Sequence, residues 1–190
     1  MLPTAHTSVG FLISQIKIKG KSLSIKEVLF VIFCANVFDL DLFYVYLGGQ
    51  KIYHHLLVTH TPLFAVFLII LFTLVLRLNW RVALLSFVAM LSHFVLDDLS
   101  YWLYFVGIAH EGKPEIFWLF PFDARRGEAL RLYSSLRPTV GGFFASYIKH
   151  TVFIFEGVFL IWGGVVFLKK YGFLVKKLFF QTTLKSKIKE

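Results

Sequence analysis

Apolar residues run along this chain in long blocks rather than at the spacing of a single buried helix face. Residues 28–47, 62–78, 82–106 and 151–168 are each apolar over about the length of a bilayer crossing. Helices of that kind suit lipid, where every backbone group is satisfied within the helix. The pattern predicts an all-α, polytopic membrane helix bundle with about four full spans. A fifth run, residues 1–16, is too brief for an ordinary crossing and predicts a short or half-inserted N-terminal helix, with Thr4 as a possible cap. Gly48-Gly49 breaks the first span, and the stretch 107–149 is the longest polar region. From Lys169 onward, Leu174, Leu178, Leu184 and Ile188 recur near helical spacing among lysines, as in a segment lying on an anionic leaflet. With no repeat or linker, one membrane-embedded domain, 1–168, is expected, followed by a basic membrane-surface tail, 169–190.

Polar residues inside these blocks mark candidate chemistry. An acid at mid-membrane costs roughly 2.5–3.5 kcal/mol on insertion scales, so such groups are expected to face protein or a wet cavity. His93 and Asp97 lie four apart and share one face of their helix. The pair reads either as a site or as a helix-packing pair without chemistry. Asp39 and Asp41 interrupt the first span; two apart, they point about 200° from each other on a regular helix, so both reach one cavity only if the helix is distorted or ends nearby. His54, His55 and His60 crowd the following connector, and neutral imidazole suits zinc and other divalent transition metals. His54 and His55 are neighbours, so at least one is expected outside the coordinating set. His6, read from its own segment, is a surface histidine.

Composition narrows the alternatives. The chain is 57% hydrophobic with a mean hydropathy of +0.72, which excludes a soluble globule. A formal charge of +9 could suggest nucleic acid, but the basic residues gather at the ends of apolar runs, where they act as topology signals and lipid contacts. No nucleic-acid partner is expected; membrane lipids are. The single cysteine, Cys34, excludes a disulfide framework and reads as a buried hydrophobe. No secretory leader is expected, since no basic segment precedes the first apolar patch. The basic regions 17–26, 77–81 and the tail fall on one side, cytoplasmic by the positive-inside rule, which leaves His6, the histidine connector and the arginine-bearing loop on the other. Asp39, Asp41, His93 and Asp97 then lie at similar depth.

Ala5-His6, Asp39-Leu40-Asp41, His55-Leu56-Leu57-Val58-Thr59-His60, Ser92-His93-Phe94-Val95-Leu96-Asp97 and Trp118-Leu119-Phe120-Pro121-Phe122 follow one another in an order that resembles the YdjM-like family of inner-membrane metal-dependent hydrolases. The resemblance covers roughly residues 1–123. It implies a multi-pass protein of the inner (plasma) membrane and a metal site drawn from His6, Asp39, Asp41, His55, His60, His93 and Asp97. Val37-Phe38 stands where the family has proline, Leu56-Leu57 replaces Arg-Gly, and Thr61 replaces serine.

The first expectation is a membrane-bound hydrolase using a divalent metal ion, zinc by its His/Asp donors, with Asp41 or Asp97 as general base. Its substrate would be an amphiphilic phosphoester or lipid-like molecule, its phosphate held by Arg125 and Arg126; those arginines also read as part of a solvated interfacial helix. The alternative is a non-catalytic membrane protein that uses the same residues for metal binding, transport or helix packing.

Overall fold

The structure, a computed structural model, describes residues 2–47, 54–110, 112–122, 147–149 and 151–187; for Tyr46 and for 174–187 it describes the backbone alone. Among these residues it is all-helical. α1 spans Pro3–Ser14 and starts on a proline, whose missing N–H costs nothing at a first helical position. Thr4 does not cap it: Leu2 holds the cap position, and the Thr4 hydroxyl instead donates to Glu156 Oε1 at 2.6 Å. α2, Ile25–Asn36, opens on a capping box in which Ser24 and Glu27 satisfy each other's backbone N–H. A 3-10 turn, Val37–Leu40, then leads into α3, Asp41–Leu47. That turn supplies the distortion the aspartate spacing requires, and Asp39 and Asp41 are both buried.

Two short 3-10 turns, His54–Leu56 and Val58–His60, carry the connector histidines. α4, Pro62–Leu76, is capped by Thr61, and α5, Trp80–Asp97, by Asn79. The expected continuous helix over 82–106 is two helices: the chain turns at Asp98, and α6 covers Leu99–Phe105. α7, Thr151–Lys187, runs without a break past the expected end of the last span at residue 168.

Among the described residues, three segments are long and apolar enough to cross a membrane: Ile25–Val45, Trp80–Asp97 and Thr151–Phe173. The fourth expected span, α4, has 15 residues; at 1.5 Å per residue it is about 22 Å long, short of a bilayer core of about 30 Å. α5 is the central helix, with half of its span buried, against 17% for α7.

Small residues set the closest approaches. A Cβ added at Gly10 would stand 2.6 Å from the Ala35 Cβ, so α1 and α2 touch where neither carries bulk. Around that contact Val31, Ala35, Leu85 and Ala89 form one buried cluster; Cys34, Phe38, Ala65, Met90, Phe94 and Ile116 form another. The basic connectors meet at one end, where Lys19 Nζ lies 5.6 Å from the Trp80 ring centroid and Lys170 donates to Gln15 at 2.6 Å. The histidine connector and the 37–40 turn are at the other.

Gly10→Val should therefore lower stability in detergent by about 1–3 kcal/mol, as overpacking does. Gly157→Ala, where a Cβ meets nothing within 4 Å, should leave stability unchanged or raise it by about 0.5–1 kcal/mol. Thermal unfolding of both variants checks the contrast, and equal melting points would contradict it.

Candidate metal centre

Several elements deliver donors to the polar end of the bundle. α1 brings His6, the 37–40 turn Asp39, the start of α3 Asp41, the connector His55 and His60, and the last two turns of α5 His93 and Asp97. His6, His60 and His93 are fully buried. The surface reading of His6 is thereby overturned: its ring stacks on that of His93 with centroids 3.9 Å apart.

The orientation of the rings is fixed from behind. His93 Nδ1 lies 2.8 Å from the carbonyl oxygen of Ala35, a pure acceptor, so that nitrogen carries the hydrogen and Nε2 has the lone pair. His60 Nδ1 faces Asp41 Oδ2 at 3.1 Å, and His55 Nδ1 faces Glu115 Oε2 at 2.6 Å. In all three rings Nε2 is turned toward Asp97. His60 Nε2, His93 Nε2 and Asp97 Oδ2 form a triangle with every side 3.1 Å. His55 Nε2 is 3.5 Å from the same oxygen, and His6 Nε2 is 3.2 Å from Asp97 Oδ1.

Three electron-pair donors this close repel unless something positive lies among them. Burial by itself lowers the basicity of the His60 imidazole, but hydrogen bonds to the Asp41 and Asp97 carboxylates outweigh it and raise its pKa to about 9. The His55 imidazole, where burial dominates, is held well below the ordinary histidine range and stays neutral, the form that binds metals. The donor set fits a divalent ion. Ligands about 2.0–2.1 Å from one ion stand about 3.3 Å apart in a tetrahedron and about 2.9 Å apart in an octahedron, which brackets the observed 3.1 Å. Both His6 nitrogens, Asp39 Oδ2 and Asp41 Oδ1 are also buried without a hydrogen-bond partner. Leaving such atoms unpaired costs about 1–3 kcal/mol each.

The sequence-predicted residues thus gather, with one difference in role. Asp41, expected as a ligand or general base, sits behind His60: its Oδ2 accepts from His60 Nδ1 and from the Thr59 hydroxyl. His54 lies at the rim, its ring centroid 4.0 Å from that of His55. Arg125 and Arg126 lie outside the described residues.

Two residues that sequence reasoning missed hold the site together. Glu115 orients His55 across 60 residues of chain, and no spacing rule links the two. Asp98 ends α5 and points away from the cluster; its carboxylate accepts from the backbone N–H of Glu115 (2.6 Å) and Ile116 (3.0 Å) and from Trp118 Nε1 (2.6 Å). The only sequence signal for this was a second acid beside Asp97 where a helix face needs one. Glu156, buried in α7, is bound by the Thr4 and Tyr147 hydroxyls and ties α7 to the His6 helix.

The chain matches the family described as YdjM inner membrane protein over residues 1–174. No curated protein and no solved structure matches it.

Asp98→Asn would turn an amide N–H₂ toward the Trp118 indole N–H, donor against donor. A loss of about 1–3 kcal/mol and a red shift of Trp118 emission are expected. An unchanged emission spectrum would show that Asp98 does not anchor this segment.

Proposed function

The chain belongs to the YdjM inner membrane protein family and is a multi-pass inner-membrane protein, and on that premise we propose that it is a membrane-embedded hydrolase dependent on a divalent metal, with zinc the ion its donors suit best. One observation carries the reading: the His60, His93 and Asp97 donors converge at 3.1 Å with their outer nitrogens already tied to other groups. Buried imidazoles held in this way are arranged as ligands are, with supporting acceptors that fix tautomer and aim. When bound, such an ion supplies Lewis acidity and lowers the pKa of a coordinated water toward neutrality.

The protein's own groups do the rest. His55, His60, His93 and Asp97 hold the ion. Asp41 aims His60 by accepting from its Nδ1. A cavity of about 490 Å³ lined by Asp98, Tyr101, Trp102, Pro114, Ile116 and Trp118 adjoins the segment that carries Glu115. Its aromatic wall suits the apolar part of an amphiphilic substrate, a phosphoester or lipid-like ester, with Arg125 and Arg126 as the proposed phosphate contacts. The positive-inside rule puts the basic end in the cytoplasm, α4 then making a fourth, short crossing and the donors lying toward the outer leaflet.

The complete burial of His6, His60 and His93 favours one other reading, an ion that only cross-links helices. The two separate on turnover. In the hydrolase reading, zinc-loaded protein cleaves a phosphodiester or a short-chain phospholipid in mixed micelles, and His60→Ala and Asp97→Asn lower bound zinc and abolish turnover. Asp41→Asn should weaken zinc binding about 10–100-fold, the usual effect of losing an orienting partner, and saturating zinc should restore turnover. Zinc bound with no turnover of any ester would leave the cross-link reading. Absence of bound metal after zinc or manganese repletion would end both.

A further inference from the structure

Resting on the reading of this cluster as a metal site, we infer that it holds two ions, with Asp97 as the carboxylate between them. The donors outnumber what one ion takes. His6, His55, His60 and His93 each present Nε2 toward Asp97 or its neighbours, and Asp39 and Asp97 add carboxylate oxygens. A zinc-like ion takes four ligands, or five when expanded.

Asp97 divides the set. Its Oδ2 faces His55, His60 and His93, while its Oδ1 faces His6 at 3.2 Å. An imidazole nitrogen has one lone pair, so His93 Nε2, committed to the 3.1 Å triangle, cannot serve a second ion. What the triangle leaves over is His6 and Asp39, which lie with His93 in a group whose donor atoms are all within 4.8 Å of one another. Both are among the side chains with buried atoms that make no hydrogen bond, His6 at both ring nitrogens and Asp39 at Oδ2. A second divalent ion on His6, Asp39 and Asp97 Oδ1 satisfies them, its remaining positions going to water or substrate. Paired ions joined by a carboxylate are the arrangement that clamps both the attacking and the leaving oxygen of a phosphoester.

Metal stoichiometry tests this separately from the hydrolase reading. Purified full-length protein, loaded with zinc and freed of excess by dialysis, should hold two zinc ions per chain. His6→Ala and the near-isosteric Asp39→Asn, each checked for a single symmetric peak on size exclusion, should hold one. With two equivalents of manganese, the wild type should give the exchange-coupled spectrum of a spin pair by electron paramagnetic resonance. Asp39→Asn should give the six-line spectrum of an isolated ion. One zinc per chain in the wild type, two in both variants, or an uncoupled wild-type manganese spectrum would overturn the two-ion assignment while leaving a one-ion hydrolase intact. No metal in the wild type would remove both.

Discussion

A buried imidazole has two nitrogens, and everything at the polar end of this bundle depends on which one faces inward. Three histidines spend Nδ1–H on an acceptor behind them, a backbone carbonyl for His93 and carboxylates for His55 and His60. The consequence is that the Nε2 atoms, the ones left to coordinate, meet at Asp97. In a dry interior that concentration of electron density is costly unless a cation lies within it. The fold is arranged to hold the donors in place all the same: α1 approaches α2 closely at Gly10 and Ala35, which places His6 against His93, and the Ala35 carbonyl is itself the acceptor for His93. Packing and site share residues.

Asp97 and Asp98 show how one peptide bond separates two tasks. Asp97 completes α5 and lies inside the histidine cluster. At Asp98 the helix ends, and its side chain, freed from the helix face, captures the 115–118 segment from outside. That capture positions Glu115 behind His55, so the connector histidine is aimed by residues from the far side of α6. The Thr4–Glu156–Tyr147 contact does for α1 what Asp98 does for the connector.

Much of this was legible in the sequence, and for definite reasons. The His93/Asp97 spacing implies a shared helical face, and the basic ends of the apolar runs imply a common side, which the Lys19–Trp80 and Lys170–Gln15 contacts bear out. Asp39 and Asp41 required a distortion, and the 3-10 turn supplies it. What escaped was tertiary. Nothing local distinguishes a buried His6 from an exposed one when its helix is short and its partners are 87 and 91 residues away. The break at Asp98 is invisible to hydropathy because α6, rich in leucine and aromatic residues, continues the apolar run of α5. The run 62–78 reads as a full span when counted through Leu78, whereas Arg77 adopts a left-handed conformation that ends the helix at Leu76. Glu115 and Asp98 carry no motif at all, since their partners are set by how loops close over the bundle.

The central claim is that the cluster is a nitrogen-rich cation site, and X-ray absorption at the zinc edge of the zinc-loaded protein addresses it most directly. The account predicts a first shell of nitrogen and oxygen at about 2.0–2.1 Å with the outer-shell scattering of coordinated imidazole rings, weakened in His60→Ala/His93→Ala. A zinc spectrum with oxygen ligands alone and no imidazole signature would contradict it.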